Sequence, residues 1–320
     1  MRTCLILGGG GYIGFNWAKR LADGKSFDRI VLADIRPPTQ PLAAKCEFVK
    51  CDVRQPLQFA NLNPEWIYNF AAVHREPGHV REEYFDTNLA GAKNVCAFAE
   101  KAGCKNILFT SSIAVYGSLQ KPTAETSLPY PTTPYGISKL CAELIHKVWR
   151  GSGEGRRLHI CRPGVIYGPA DPGNILRMIR AVRKGYFIFP GSKHLRKSYG
   201  YIEGLLDSFE FIMARDEPQI TYNYVERETE SLGALVRIVQ THFNKNVPTI
   251  TAPRPVLEAV AAVAQMATGG RSALHPVRVR KTASSTHVLP ATLLQMGFKF
   301  RYDFASSLKD WAKKSPEDFY

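Results

Sequence analysis

The stretch Cys4–Gly14, "CLILGGGGYIG", holds four consecutive glycines, Gly8 to Gly11, between an apolar run and the start of a helical pattern. Two phosphate-binding registers overlap in it. Gly9, Gly11 and Gly14 spell G-x-G-x-x-G, whereas Gly8, Gly11 and Gly14 spell G-x-x-G-x-x-G. Either way Leu5–Leu7 predicts a buried strand, the glycines a turn, and Tyr12, Ile13 and the residues after them a helix whose free N–H groups face that turn. A phosphate is attracted there by those N–H groups and the helix dipole, and glycine lets the backbone approach it. The second strand, "RIVLAD", ends in Asp34, 20 residues after Gly14. A carboxylate at that distance suits the adenine-side ribose hydroxyls of NAD and repels the 2′-phosphate of NADP. Arg36 is the residue that would favour NADP, which makes NADP the second expectation. Asp52, with Val53 after the third strand, is placed for the adenine amine or for capping a helix.

Working outward from the turn, short apolar runs recur at Thr3–Leu7, Arg29–Ala33, Glu47–Val49, Trp66–Phe70, Asn106–Thr110 and Leu158–Cys161. Segments of helical spacing, such as "NVCAFAEKAG", separate several of them. Strands alternating with crossovers predict an α/β fold, a doubly wound parallel sheet of the Rossmann kind, because parallel neighbours are joined only by crossovers. The alternation fades beyond Gly168, through a "GPADPGN" loop, a basic helix at Ile175–Lys184 and a strand running into a helix at "KSYGYIEGLLDSFEFIMA". Residues 1–168 are therefore expected to form the dinucleotide-binding domain, with 198–225 returning to it and 169–320 supplying mainly a smaller substrate-binding lobe.

At 320 residues and 45% hydrophobic the chain is long enough to bury a substantial core. No apolar stretch reaches membrane-spanning length, and the strand-like pattern begins directly after Met1-Arg2, so a cytoplasmic protein is expected. The seven cysteines show no C-x-x-C pair and no metal-ligand spacing, which predicts free thiols and no bound metal. The net charge of +14 gathers at Arg177, Arg180, Arg183 and Lys184, at Lys193, Arg196 and Lys197, and at Arg278, Arg280 and Lys281. Solvated faces, an anionic substrate, an acidic membrane surface and nucleic acid all fit such clusters.

Of the fourteen tyrosines, only Tyr135, in "PYGISK", has a lysine four positions later, Lys139. On a helix those positions share a face, so the ammonium sits beside the phenol. Bringing a phenol from about 10 to neutrality takes about 4 kcal/mol of favourable interaction with nearby positive charge, and the result is a base toward an alcohol and an acid toward a ketone. Ser112, 23 residues earlier in "TSSIAVYG", follows an apolar strand, at the strand end where open α/β sheets bind ligands. Its hydroxyl is suited to holding a reacting oxygen against the tyrosine.

Together "LGGGGYIG", "NFAAV", "DTNLAGAKNV", "SSIAVYG", "PYGISK", "RPGVIYGP" and "KSYGYIEGLLD" resemble, in order and over nearly the whole chain, the extended short-chain dehydrogenase/reductases of the NAD-dependent epimerase/dehydratase family, the group containing UDP-galactose 4-epimerase. The resemblance implies a Ser112–Tyr135–Lys139 catalytic triad, with Lys139 also on the nicotinamide ribose, Ala71 and Ala72 lining the cofactor cleft and Pro163 beside it. It implies that Asn88 supports the lysine through water, that Asn174 and Lys197 serve the substrate, and that the helices near Asn88–Lys101 and Tyr135–Trp149 form a homodimer. It also selects the Gly8, Gly11, Gly14 register, leaving Gly10 as the glycine expected to tolerate alanine best. Ile113 and Ala114 replace the Asp-Glu pair of the family's 4,6-dehydratases, which argues against dehydration. Val165 stands where the sugar epimerases carry an asparagine, as in members that only reduce ketones. The expected function is an NAD-dependent epimerase of a nucleotide-diphosphate sugar at C4, with a 4-keto-sugar reductase as the alternative. A non-catalytic NAD- or RNA-binding member is the rival from another class, and the complete triad argues against it and against nucleic acid as a partner.

Overall fold

The computed structural model describes every residue except Ser118, Gln120, Pro172, Gly270, Ala273 and Leu274. The first half runs β1 (Thr3–Leu7), α1 (Tyr12–Asp23), β2 (Arg29–Asp34), β3 (Cys46–Lys50), β4 (Trp66–Asn69), α2 (Arg81–Phe85), a π turn at Asp86–Ala90, α3 (Gly91–Lys101), β5 (Asn106–Thr110), a 3₁₀ turn at Ile113–Tyr116, α4 (Pro134–Gly151) and β6 (Arg157–Pro163). There follow β7 (Val165–Tyr167), α5 (Asn174–Arg183), β8 (Phe187–Pro190), β9 (Tyr199–Tyr201), α6 (Ile202–Met213), β10 (Gln219–Tyr224), α7 (Leu232–His242), β11 (Thr249–Ala252), α8 (Arg254–Ala267), α9 (Pro276–Thr282), α10 (Ala291–Gln295) and α11 (Phe304–Lys314).

Seven strands form one parallel sheet in the order β10-β6-β5-β4-β1-β2-β3. The order reverses at β1, which pairs with β2 on one side and β4 on the other, so the crevice at its carboxyl end is the topological switch point. All five residues of β1 are buried because helices cover both faces. Cys4 and Ile6 face one apolar cluster, with Trp17 and Phe209, while Leu5 and Leu7 face the other, with Val95 and Phe109. Two expected crossovers have no helix among the described residues. The chain passes from β2 to β3 and from β3 to β4 as coil, and the second passage buries Val53, Leu57 and Leu62 instead of a helix face.

β10 lies beside β6, and α6 packs on the sheet through Leu205, Phe209 and Ile212, which places residues after the basic α5 back in the main sheet. The remaining strands pair as two small parallel sheets, β7 with β9 and β8 with β11.

Glu226, just past β10, is 8% exposed, and its N–H donates to Tyr199 O at 2.7 Å. Its carboxyl meets the Tyr167 hydroxyl, which also contacts Ser307 Oγ of α11 at 2.6 Å. Burial pushes this carboxyl up from 4.5 to about 8, with the Tyr167 hydrogen bond opposing. A carboxyl raised in the folded state contributes its full share of stability below the unfolded value and loses it as pH climbs toward 8. Glu226→Gln should therefore flatten the fall in unfolding free energy between pH 5 and pH 8, by an amount on the order of 3 kcal/mol at the upper end. Parallel melting curves for the two proteins across that range would show that the carboxyl is already ionised.

Candidate active site at the switch point

The glycine turn closes on itself between β1 and α1. Gly8 and Gly9 donate to Ala33 O at 2.9 and 3.2 Å, and Gly11 donates to Gly8 O at 3.1 Å. Gly8 has φ +77°, and a Cβ on it would lie 2.6 Å from Ala71 N, so Ala71 walls the turn and only glycine fits. A Cβ on Gly14 would lie 2.2 Å from Gly8 O, which locks α1 against the turn. Gly11 caps α1 without a side chain, and the first-turn N–H groups of Tyr12, Ile13 and Gly14 face the crevice. The Tyr12 side chain turns away, with its buried hydroxyl 2.9 Å from where a Gly168 Cβ would sit.

Gly10 corrects the expectation of tolerance. A Cβ there would meet Arg36 O at 2.2 Å, because the turn is pinned to the end of β2, where Gly10 N–H donates to Asp34 Oδ2 at 3.1 Å. The roomiest of the run is Gly11, whose nearest neighbour would be Gly8 O at 3.2 Å. The other Asp34 oxygen takes the Arg36 N–H at 3.2 Å, and the carboxylate stands half-buried at the crevice.

Ser112 follows β5, and its Oγ accepts from Ala114 N at 3.1 Å to start the 3₁₀ turn. Thr133 caps α4 by accepting from Gly136 N, which sets Tyr135 in the first helical turn. Burial pushes the Tyr135 phenol up to about 12; a hydrogen bond with Ser112 pulls the other way, and Glu76 and Tyr84 add to the rise. Lys139 is 1% exposed, and burial pushes it down to about 7 against the opposing pull of Glu143. Its ammonium lies 4.3 Å from the Phe109 ring centroid and has no hydrogen-bond acceptor among the described residues.

α4 buries a polar stripe of Ser138, Lys139, Glu143 and His146. Glu143 forms a two-bond ion pair with Arg162 of β6, at 2.8 and 2.7 Å, with the side chains 0% and 4% exposed. Arg162 donates to the Tyr116 hydroxyl at 2.9 Å, and Tyr116 donates to Asn223 of β10 at 2.8 Å. His146 stacks on Phe109 at 4.3 Å, donates to Ala142 O at 2.7 Å and meets Asn69 Nδ2 at 3.3 Å; burial pushes it down to about 4, leaving it neutral. The helical stripe 135-139-143-146 was the available sequence signal for Glu143 and His146, whereas nothing local marks Asn69 or Phe109.

Four further expectations meet different geometry. Asn88, in the π turn, exchanges hydrogen bonds with the Val73 backbone at 3.0 Å and donates to Ser138 Oγ at 2.9 Å, so its direct contacts brace the Ala71–Ala72 wall against α4. The Asp52 carboxylate is bound by Arg54 at 2.6 to 3.0 Å, and no helix follows for it to cap. The neighbouring Val53 is buried and gives its carbonyl to Asn94 Nδ2 at 2.8 Å. The Lys197 ammonium is spent at the end of α9, on Lys281 O at 2.7 Å and on Ser284 O. Asn174 is exposed at the start of α5 and meets Arg177 of its own helix at 3.4 Å. Pro163 is buried at the end of β6, in register with Tyr224.

A side-chain-free cradle, a carboxylate at the end of β2 and a buried ammonium without an acceptor together fit a dinucleotide. The chain belongs to the NAD-dependent epimerase/dehydratase family, whose model matches residues 4–224, and it is an NAD-dependent enzyme of the extended short-chain dehydrogenase/reductase type. Among particular relatives, it is 32% identical over 283 residues to the N-acetyl-α-D-glucosaminyl-diphospho-ditrans,octacis-undecaprenol 4-epimerase of Escherichia coli O157:H7, covering 81% of this chain and 84% of that one. It is 32% identical over 182 residues to the UDP-glucose 4-epimerase of Lacticaseibacillus casei, where the match spans 54% of each. Among solved structures, the UDP-glucose 4-epimerase of Thermotoga maritima, determined with UDP-glucose, superposes with a TM-score of 0.78 at 17% identity, covering 99% of this chain and 100% of that one. The Bordetella bronchiseptica enzyme WbmG, determined with NAD, superposes with a TM-score of 0.76 at 19% identity, covering 99% and 96%.

Two predictions follow from this geometry. Gly10→Ala and Gly14→Ala should both lower the melting temperature markedly, whereas Gly11→Ala should cost no more than about 1 kcal/mol of stability and show its effect as weaker NAD binding by calorimetry. A silent Gly10→Ala would contradict the close approach to Arg36. Arg162→Met should cost about 3–5 kcal/mol in denaturant unfolding by stranding Glu143, and adding Glu143→Leu should recover more than half of that. Simple additivity of the two losses would mean that the pair is not a coupled unit.

Proposed function

We propose that this chain is a sugar 4-epimerase acting on a sugar carried by a diphosphate, with Ser112, Tyr135 and Lys139 as its catalytic residues. The observation that carries the reading is the meeting of the Ser112 hydroxyl and the Tyr135 phenol at the carboxyl end of β5, with the Lys139 ammonium one helical turn below. A 4-epimerase relative matched over most of both chains supports it. In this reading the first-turn N–H groups of α1 and the Gly8–Gly11 backbone hold the pyrophosphate, and Asp34 takes the adenine-side ribose and selects NAD over NADP. Ala71, Ala72 and Pro163 flank the nicotinamide end, and Lys139 takes its ribose. Bound NAD supplies a hydride acceptor and donor.

The proton chemistry belongs to the chain. Tyr135 is an acid while its phenol stays near 12; in this reading a charged Lys139, four residues on in α4, makes it a base. An ammonium near 7 is tipped to the charged form by any hydroxyl that accepts its hydrogen bond. Tyr135 then takes the proton of the sugar C4 hydroxyl as that carbon is oxidised and returns it when the carbon is reduced on the opposite face, while Ser112 holds the oxygen in line. Residues 1–168 with 198–225 serve as the dinucleotide lobe and most of 169–320 as the substrate lobe. Dimerisation through α3 and α4 would cover Leu144 and Val148, which are 53% and 71% exposed.

Incubation with UDP-glucose, UDP-N-acetylglucosamine and N-acetylglucosaminyl-diphospho-undecaprenol should yield the C4 epimer of at least one, with no net change in NADH. Tyr135→Phe should lower kcat by about 10²–10⁴ with the fold intact. Stoichiometric consumption of NADH with a ketone would identify a reductase instead, and full turnover by Tyr135→Phe would overturn the assignment of the base.

A further inference from the structure

The two stretches 174–200 and 245–302 contain fifteen lysines and arginines and a single acid, Glu258. The chain carries 42 basic and 28 acidic residues, so these stretches hold its entire net charge of +14 and the remainder is balanced. They meet where β8 of the first pairs with β11 of the second, while Arg301 pairs with Asp207 of α6 and Arg180 and Arg183 bond the carbonyls of Asp318 and Phe319. β11 runs through Pro253 alone into α8, which is amphipathic in reverse: only Ala261 is fully buried. Its exposed positions include Val256, Ala259, Val260, Val263, Met266 and Ala267, and its polar Glu258 and Gln265 are half-buried. Val256, Val260, Val263 and Met266 are 51% to 76% exposed. Next to them in the chain, the register partners Ile188 and Ile250 are 50% and 65% exposed, and Tyr186 is 55% exposed. Exposed Lys184, Lys193 and Arg271 belong to the same two stretches.

We propose that the exposed face of α8, with Ile188 and Ile250 beside it, docks peripherally on an anionic phospholipid bilayer and delivers the diphosphate-linked sugar of a membrane-embedded polyprenol to Tyr135. A helix of 14 residues is too short to span a bilayer, and among the described residues no helix is long and apolar enough to do so. An apolar face set in a surplus of cations is the pattern of a helix lying in the interface, where apolar burial and attraction to anionic headgroups add. Charge complementarity thus selects a lipid surface over a protein partner. α9 packs on α8, and Lys281 of α9 pairs with Glu76, in the segment between β4 and α2 that also carries Ala71 and Ala72, so the α8–α9 hairpin is tied to that wall. The part of the inference that names a polyprenol rests on the function proposed above and on the relative whose name specifies such a substrate.

The test is flotation of the full-length protein with vesicles of phosphatidylcholine alone or with about one-third phosphatidylglycerol. The protein should float with the anionic vesicles and be released by high salt. Val260→Asp with Val263→Asp, two exposed changes, should lower that partition at least about tenfold at an unchanged melting temperature. Failure of the wild-type protein to bind, or binding undiminished in the double variant, overturns the docking face. So does a change in oligomer size in the variant with vesicle binding retained, which would make α8 a protein interface. Vesicle binding is read without turnover, so the two proposals fail separately. Epimerisation without vesicle binding sinks this inference alone, and vesicle binding without any epimerisation sinks the proposed function alone.

Discussion

The buried pair of Arg162 and Glu143 holds α4, the helix of Tyr135 and Lys139, to the sheet. Two hydrogen bonds below 2.9 Å join α4 to β6 with both side chains removed from water. Arg162 extends the link through Tyr116 to Asn223 of β10, so three strands' worth of structure answers to one guanidinium. Such a pair gives little net stability compared with an apolar substitute, because desolvation offsets the attraction, but it tolerates only one geometry. That geometry fixes the rotation of α4 about its axis, and the rotation decides where Tyr135 and Lys139 point. Glu143 also acts on Lys139 directly and opposes the burial that drives its ammonium toward neutrality. Structural anchor and electrostatic partner are the same carboxylate.

A second constraint acts at the other end of the crevice. The turn after β1 must pass within van der Waals distance of Phe70–Ala71, of Arg36 and of its own Gly8 carbonyl. Gly8, Gly10 and Gly14 each have a different obstacle, which is why a run of glycines stands where the spaced motif alone would need three. The tightness of Gly10 came from Arg36 O, an atom 26 residues away, and no spacing rule in the turn itself contains that information.

The same distinction separates what was legible in the sequence from what was not. Strand positions such as Thr3–Leu7 and Asn106–Thr110 were readable because a fully buried parallel strand must be a continuous apolar run. Tyr135 and Lys139 were readable because i, i+4 spacing is a local property of one helix. Asp52 and Lys197 are held by Arg54 and by the end of α9, and a single charged residue in a loop does not declare such partners in the sequence. Asn88 was noticed for its motif, yet its role as a brace depends on Val73 and Ser138, brought to it by the π turn and by α4.

The seat of Tyr135 and Lys139 and the part of the chain over it each depend on buried groups. The seat is set by buried groups with their partners within hydrogen-bond reach: the Arg162 network, the Phe109 sandwich of Lys139 and His146, and the Asn88 brace. The part over it has buried groups of its own, Glu226 with Tyr167 and Ser307 among them, and is tied to the seat by Lys281 with Glu76 and by the bridge between Thr123 and Val288. A buried network cannot change one member without stranding another, whereas surface ties can be exchanged singly at little cost. The match to the family model ends at residue 224, before α7, β11 and the α8–α9 hairpin begin. The glycine turn, Asp34 and α4 all lie within the matched part, and the α8–α9 hairpin with its exposed apolar face lies beyond it.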